Sequence, residues 1–213
     1  GSIMQNEARP GEISLSHNGI LFFDELPNFH KSILESLREP LENNELSISR
    51  VNLKFIYPSS ILFIGAMNPC PCGNLYSLAK ECRCKDSEIK SYRNKLSEPF
   101  LDRIDLFVKM EETKSNERIH SKDLFNIVLD TFKMQKERGQ IRLNGKLNDD
   151  EIEKFCILDD NAKDLLNQAI NRFGLSHRGR VKVIKLSRSI ADIDKSEIIK
   201  RNHLLEALSF RAL

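Results

Sequence analysis

The chain has 213 residues, of which 40% are hydrophobic and 30% charged, with a formal net charge of +2. That is enough chain for one large domain or two small ones around a real core, and too balanced a charge to argue for nucleic acid by itself. No apolar run approaches the ~20 residues of a membrane span and no signal peptide is visible, so the expected setting is cytoplasmic, with no membrane partner.

Gly1-Ser2 reads as a tag-cleavage scar and the chain does not open on Met, so an excised piece of a longer protein is expected. The period of the apolar residues divides the rest into an α/β part over 3–112 and an all-helical part over 113–213. Ile20–Phe23 is the first strand candidate, short and apolar enough to be buried on both faces of a parallel sheet. Lys31–Leu41 follows as a helix, with Ile33, Leu34, Leu37 and Leu41 at helical spacing and Pro40 near its end. Glu45–Phe55 alternates apolar and polar residues imperfectly and predicts a hairpin. Ile61–Ala66 and Asp105–Val108 are the other strand candidates. Helices are then expected over Asn116–Arg138, Asp149–Phe155, Asn161–Phe173, Arg178–Asp192 and Lys200–Phe210, with Gly139 and Gly174 as stops and Ser176 as a cap. Helices of this length with short connections predict a compact bundle.

Two sets of residues point to chemistry. The first strand runs straight into Asp24 and Glu25, at the C-terminal end where open α/β sheets place their ligand sites. In nucleotide hydrolases such a pair holds Mg²⁺ and polarises the attacking water; the alternative is a core strand ending in a solvated acidic turn. The second set is Cys70, Cys72, Cys82 and Cys84, two C-x-C pairs with nine residues between them. Four thiolates complete a tetrahedral, closed site for structural Zn²⁺. Pro71 and Gly73 favour the turn that lets two sulfurs converge, and Lys80, Arg83 and Lys85 offset negative charge. The alternatives are reduced thiols covering a surface, or a redox pair. Cys156 stands apart in a helical pattern and reads as a small core residue.

Several stretches recur in a recognisable order. Pro10-Gly11-Glu12-Ile13-Ser14-Leu15-Ser16-His17-Asn18 leads into the strand ending in Asp24-Glu25. Leu46-Ser47-Ile48-Ser49-Arg50 lies in the hairpin, and Ala66-Met67-Asn68-Pro69-Cys70-Pro71-Cys72-Gly73 ends the second strand. Leu96-Ser97-Glu98-Pro99-Phe100-Leu101-Asp102-Arg103-Ile104-Asp105-Leu106 follows. In this order the chain resembles the magnesium-chelatase-like AAA+ ATPases, most closely their ComM/YifB, competence-related branch, from Pro10 to Arg211.

The resemblance implies a partial AAA+ α/β core, the later half of a P-loop-type parallel sheet, followed by a helical lid. It implies that Asp24 and Glu25 are the Walker B pair, serving ATP and Mg²⁺, and that Asn68 is sensor 1, orienting the attacking water. Asn68 taken alone also suits a turn before Pro69. Arg103 matches the arginine finger that reaches across a subunit interface to the transferring phosphoryl group; its alternative is an ion pair with Asp102 or Asp105. Arg178 matches sensor 2, and a phosphate partner would explain an arginine at a helix N-terminus, where the dipole disfavours it. A solvated first-turn arginine is the alternative.

The chain departs from the family in one respect. G-x-x-x-x-G-K-[ST] occurs nowhere in it, and Asn144-Gly145-Lys146 is a turn followed by Leu147. The expectation is therefore a piece that begins after the phosphate-binding loop and is itself inactive, from a parent ATPase. The resemblance places the missing loop's strand between Ile61–Ala66 and Asp105–Val108, so an altered sheet, capture of Ile3–Arg9 or self-association is expected, with the lid undisturbed. For the parent, the resemblance implies a ring homo-oligomer, a hexamer, coupling hydrolysis to DNA remodelling such as helicase or branch-migration work. Arg50 near the hairpin tip and Lys54 beyond it would face the DNA backbone. The alternatives are a motor subunit of a magnesium chelatase and a non-catalytic zinc-binding interaction module.

Overall fold

A computed structural model describes residues 2–4, 7–50, 53–110 and 119–211. The described residues fall into two compact units, one built from the chain up to Ile104 and one from Asp105–Lys109 together with the chain from residue 119 onward. The fold is mixed α/β, with a short parallel sheet and many helices.

The first unit opens with β1 (Ser2–Met4) and β2 (Glu7–Arg9), paired antiparallel, then α1 (Glu12–Leu15) and β3 (Ile20–Phe23). The expected helix over Lys31–Leu41 is two helices, α2 (Lys31–Ser36) and α3 (Arg38–Asn43). Pro40 has no N–H to donate to the Ser36 carbonyl, so a continuous ladder fails there and the chain restarts at Leu37. The hairpin forms as expected from β4 (Glu45–Arg50) and β5 (Leu53–Pro58), in register from Glu45 opposite Pro58 to Arg50 opposite Leu53. Its tip lies outside the described residues, as does the Arg50 side chain. β6 (Leu62–Gly65), α4 (Asp86–Arg93) and α5 (Glu98–Leu101) complete the unit.

β3 and β6 pair in parallel, Ile20 opposite Leu62 through Phe23 opposite Gly65, and no third strand joins them among the described residues. Their side chains alternate. Leu21, Phe23 and Phe63 turn into a core with Leu26, Leu34, Leu37 and Phe100, while Phe22 and Leu62 are each 59% exposed. The expectation of a strand buried on both faces is therefore corrected: among the described residues the Ile20 and Phe22 face of β3 is largely exposed. The expected strand Asp105–Val108 is also corrected. It has no regular structure and belongs to the second unit, where the Phe107 N–H donates to the Phe210 carbonyl at 2.8 Å. Capture of the N-terminal segment by the sheet edge is not seen among the described residues, where β1 and β2 pair with each other and not with β3 or β6.

The second unit holds α6 (Ser121–Glu137), α7 (Asp149–Phe155), α8 (Asp160–Phe173), α9 (His177–Ile193) and α10 (Arg201–Ser209). The expectation for Asn116–Arg138 begins outside the described residues, and the helix starts at Ser121 after His120 in an extended conformation. Local chemistry explains the other ends. The Asn148 side chain accepts from the Glu151 amide at 2.9 Å, Asp159 from Ala162 at 2.7 Å and Ser176 from Gly179 at 3.0 Å. Gly174 stops α8 in the left-handed conformation, φ 60°. The core gathers Leu147, Phe155, Leu166, Val183, Ile199 and Leu204.

A charged network runs through this core that composition and period did not suggest. Arg188 is 0% exposed and Asp192 1% exposed. Arg188 donates to Asp192 from Nε at 3.2 Å and Nη2 at 2.9 Å, and to the Glu197 carbonyl at 2.8 Å. Asp192 also accepts from Arg138 and, at 2.8 Å, from Asn144 Nδ2, while the Asn144 backbone N–H donates to Oε1 of the buried Gln135 at 2.9 Å. Burial lowers the pKa of Arg188 from its usual value. Two guanidinium groups and a carboxamide thus satisfy one carboxylate, which is the condition for burying such charges at all. Removing the carboxylate leaves Arg188 buried without its counterion. Asp192→Ala is expected to destabilise this unit by ~3–5 kcal/mol in denaturant unfolding, whereas exposed Asp160→Ala should change it by less than ~1 kcal/mol.

Candidate functional site

The site of the first unit begins where β3 and β6 end side by side. The Ala66 N–H donates to the Phe23 carbonyl at 2.8 Å and the Leu26 N–H to the Ala66 carbonyl at 3.0 Å, which stitches the two strand ends together. Gly65 permits that closeness, since a Cβ there would collide with the buried Leu26 side chain. Asp24 and Glu25 are exposed on the turn after β3, and Asn68 is exposed just past β6.

Glu25 adopts the left-handed conformation, φ 52° and ψ 48°, which costs a residue with a Cβ of the order of 1–2 kcal/mol. Its N–H donates to Asp24 Oδ1 at 2.9 Å, and its Oε2 accepts from Asn28 Nδ2 at 2.9 Å. The kink holds both carboxylates at the rim beside the β6 end. Hard, exposed carboxylate oxygens of this kind suit Mg²⁺, so the residues present fit that ion.

The four cysteines come together. Cys70 and Cys72 Sγ are 3.5 Å apart, and each lies 3.7 Å from Cys82 Sγ. All four sulfurs fall within 4.8 Å of one another. A tetrahedron of thiolates at ~2.3 Å from zinc has edges of about 3.8 Å, so the donor set fits that ion. Gly73, φ 77°, makes the turn that brings Cys70 and Cys72 round, with its N–H donating to the Cys70 carbonyl at 3.0 Å. The amides of Asn74 and Arg83 aim at Cys72 and hold its thiol down at about 6. Cys84 is pushed up to about 12: the Cys72 amide favours its thiolate, but the Cys72 side chain, burial and the other two sulfurs together outweigh it. Thiolates this close resist ionising together unless a cation compensates them.

Arg103 is only 14% exposed and is already engaged. Its Nη2 meets Glu42 Oε2 at 2.7 Å, its Nη1 donates to the Pro99 carbonyl at 2.9 Å, and Asp102 lies at 4.0 Å. The sequence-based alternative of an Asp105 partner is corrected, because Asp105 pairs with Lys182 at 2.9 Å in the second unit. Arg178 is exposed in the first turn of α9 in the second unit, separate from the unit that carries Asp24, Glu25 and Asn68.

Tyr92 on α4 was not singled out from the sequence. Its phenol is half-buried, and that burial raises its pKa. The one available signal is that α4 starts directly after Cys84-Lys85.

Known proteins share this arrangement of sequence. Residues 1–118 match the family described as magnesium chelatase, subunit ChlI, and residues 118–211 match its C-terminal part. The chain belongs to the magnesium chelatase family. Within it, the chain is 39% identical over 212 residues to competence protein ComM of Haemophilus influenzae, covering 96% of this chain and 41% of that protein. It is 39% identical over 210 residues to YifB of Escherichia coli and 38% over 211 residues to YifB of Salmonella typhimurium, again 96% of this chain and 41% of theirs. The chain thus spans about two fifths of the length of these relatives. The family implies ATP and Mg²⁺. No helix among the described residues is long and apolar enough to cross a membrane.

The cysteine geometry leads to a measurable outcome. Protein prepared without chelator is expected to carry one zinc per chain, and Cys70→Ser or Cys84→Ser to lose it while Cys156→Ser keeps it. Chelation should open the clustered thiols to alkylation. Cys156, whose thiol burial pushes up to about 11, should stay unreactive until the chain unfolds.

Proposed function

We propose that the chain is part of an AAA+ ATPase of the magnesium-chelatase type, with 3–112 contributing the later half of the α/β core and 113–213 the helical lid. The observation that carries this reading is Glu25, held in a costly left-handed turn between Asp24 and the end of the neighbouring parallel strand. Strain at a rim where two strand ends meet is the pattern of a site in which direction of a side chain outweighs local stability. When bound, MgATP supplies the phosphoryl bond that is hydrolysed and the cation that neutralises its charge. Asp24 would offer its carboxylate to the cation. Glu25 would accept a hydrogen bond from water and draw off its proton, and Asn68, from the adjacent strand end, would hold that water in line.

Arg103 and Arg178 would supply positive charge to the phosphates as finger and sensor 2. For Arg103 to serve a neighbouring subunit it must leave Glu42, so ring assembly and release of that pair would go together. The exposed apolar face of β3 and β6 supports a further layer of protein packing on it. The cysteine set would bind zinc as a closed structural site. In a homo-oligomeric ring, a hexamer, the β4–β5 hairpin would contact DNA, with Lys54 exposed on it. The work done would be DNA remodelling of the helicase or branch-migration kind.

Two measurements test this reading. In the full-length protein, Glu25→Gln is expected to cut ATP turnover at least ~10²-fold while ATP stays bound, read by single-turnover hydrolysis and nucleotide retention. Normal turnover in that variant would remove Glu25 from the mechanism. DNA binding by the full-length protein should weaken steeply with salt, as contacts to phosphates require, and a salt-independent or absent affinity would point away from DNA.

A further inference from the structure

The four clustered cysteines are not equally accessible. Cys70 is 0% exposed, Cys82 and Cys84 are half-buried, and Cys72 alone of the four is exposed. Cys72 lines a cavity of about 370 Å³ together with Asn74, Lys80, Glu81 and Arg83. Two cations against one carboxylate give that lining a positive excess beside an exposed sulfur. On its other side Cys72 Sγ has Cys70 Sγ at 3.5 Å and Cys82 Sγ at 3.7 Å. A closed zinc site accounts for the four sulfurs and leaves the cavity and its charges unused.

We propose that Cys72 is a modification site: a negatively charged small-molecule disulfide enters this cavity, exchanges with the Cys72 thiolate and, through Cys82, ejects the metal. Only the ejection rests on the zinc reading above; the order in which the sulfurs react does not. Exchange needs a thiolate, and coordination to a metal holds a thiol deprotonated. The cavity falls within the ~300–1,000 Å³ of small-ligand clefts, and Lys80 and Arg83 attract carboxylates to it. In the first step Cys72 Sγ attacks one sulfur of the incoming disulfide. That S–S bond breaks, a mixed disulfide forms on Cys72, and the other half leaves as a thiolate with the electron pair and takes a proton from water. In the second step Cys82 Sγ attacks Cys72 Sγ, which forms a Cys72–Cys82 bond and releases the second half in the same way. Two cysteine thiolates are thereby oxidised by two electrons, and the small disulfide is reduced to two thiols. The two sulfurs close from 3.7 Å to the ~2.05 Å of a bond. Cys70 is as near, but it is fully buried and joined to Cys72 through Pro71 alone, whose ring fixes the backbone between them. The two thiolates that remain do not complete a tetrahedral site, so the ion leaves.

Oxidised glutathione, an anionic disulfide, is the probe on the zinc-loaded chain, with uncharged hydroxyethyl disulfide as its control. Mass mapping early in the reaction should find the first adduct on Cys72. The end product should carry a Cys72–Cys82 bridge, with about one zinc released to a chromogenic chelator for each bridge and Cys156 unmodified. Lys80→Ala combined with Arg83→Ala keeps all four sulfurs and should still bind zinc. Its reaction with oxidised glutathione should slow at least about fivefold, while hydroxyethyl disulfide reacts as it does with the unaltered chain. A first adduct on another cysteine overturns Cys72 as the point of entry, and a bridge to Cys70 or Cys84 overturns the role of Cys82. A double variant that reacts with oxidised glutathione at the unaltered rate overturns the cavity as the docking site. If the chain holds no zinc, the zinc reading and the ejection step fall together, and the position of the first adduct still decides the modification site.

Discussion

The parallel pairing of β3 with β6 is the constraint on which the first unit depends. Parallel strands point their C-termini the same way, so whatever follows each strand emerges at one rim. Here the acidic turn follows one strand, and the asparagine and the first cysteines follow the other. A shift of register by one residue would turn Leu21 and Phe23 to the open face and carry Asp24 and Glu25 away from the β6 end. The hydrogen bonds of Ala66 to Phe23 and of Leu26 to Ala66 fix that register beyond the strands themselves. Glu25 can then be held in its left-handed turn, because its neighbours on both sides are pinned.

The second unit obeys a different constraint. Its helices are amphipathic and would bury their apolar stripes in several arrangements. One buried carboxylate selects among them. Asp192 on α9 needs Arg188 from its own helix, Arg138 from the end of α6 and Asn144 from the connection beyond, and only one packing delivers all three. A network of this kind adds specificity more than net stability, because desolvating the charges offsets much of what their attraction contributes. Each unit also keeps an apolar surface uncovered: Phe22 and Leu62 on the sheet, and Phe125, Val128 and Phe132 along α6. Surfaces of that character are expected where further protein is meant to sit.

The acidic turn and the stretch that carries the cysteine cluster follow strand ends that lie side by side. A loop of some twenty residues without regular structure is a poor support for a side chain that must be placed closely. In that loop the sulfurs of Cys70, Cys72, Cys82 and Cys84 gather within 4.8 Å of one another. In this arrangement the first cysteines follow the same strand end as Asn68.

The sequence by itself determined the features that are local in the chain. The short strands at Ile20–Phe23 and within Ile61–Ala66, the hairpin, the capped helices of the second unit and the C-x-C pairs all follow from spacing and residue type. The motif order identified the family. What the tertiary structure decided lies between residues far apart in sequence. It bonded the Phe107 N–H to the Phe210 carbonyl, gave Arg103 to Glu42 and built the charged core around Asp192. Apolar period reports whether a segment is buried. It carries no information about which partner receives a backbone N–H or a guanidinium, because those bonds depend on distances that exist only once the chain has folded.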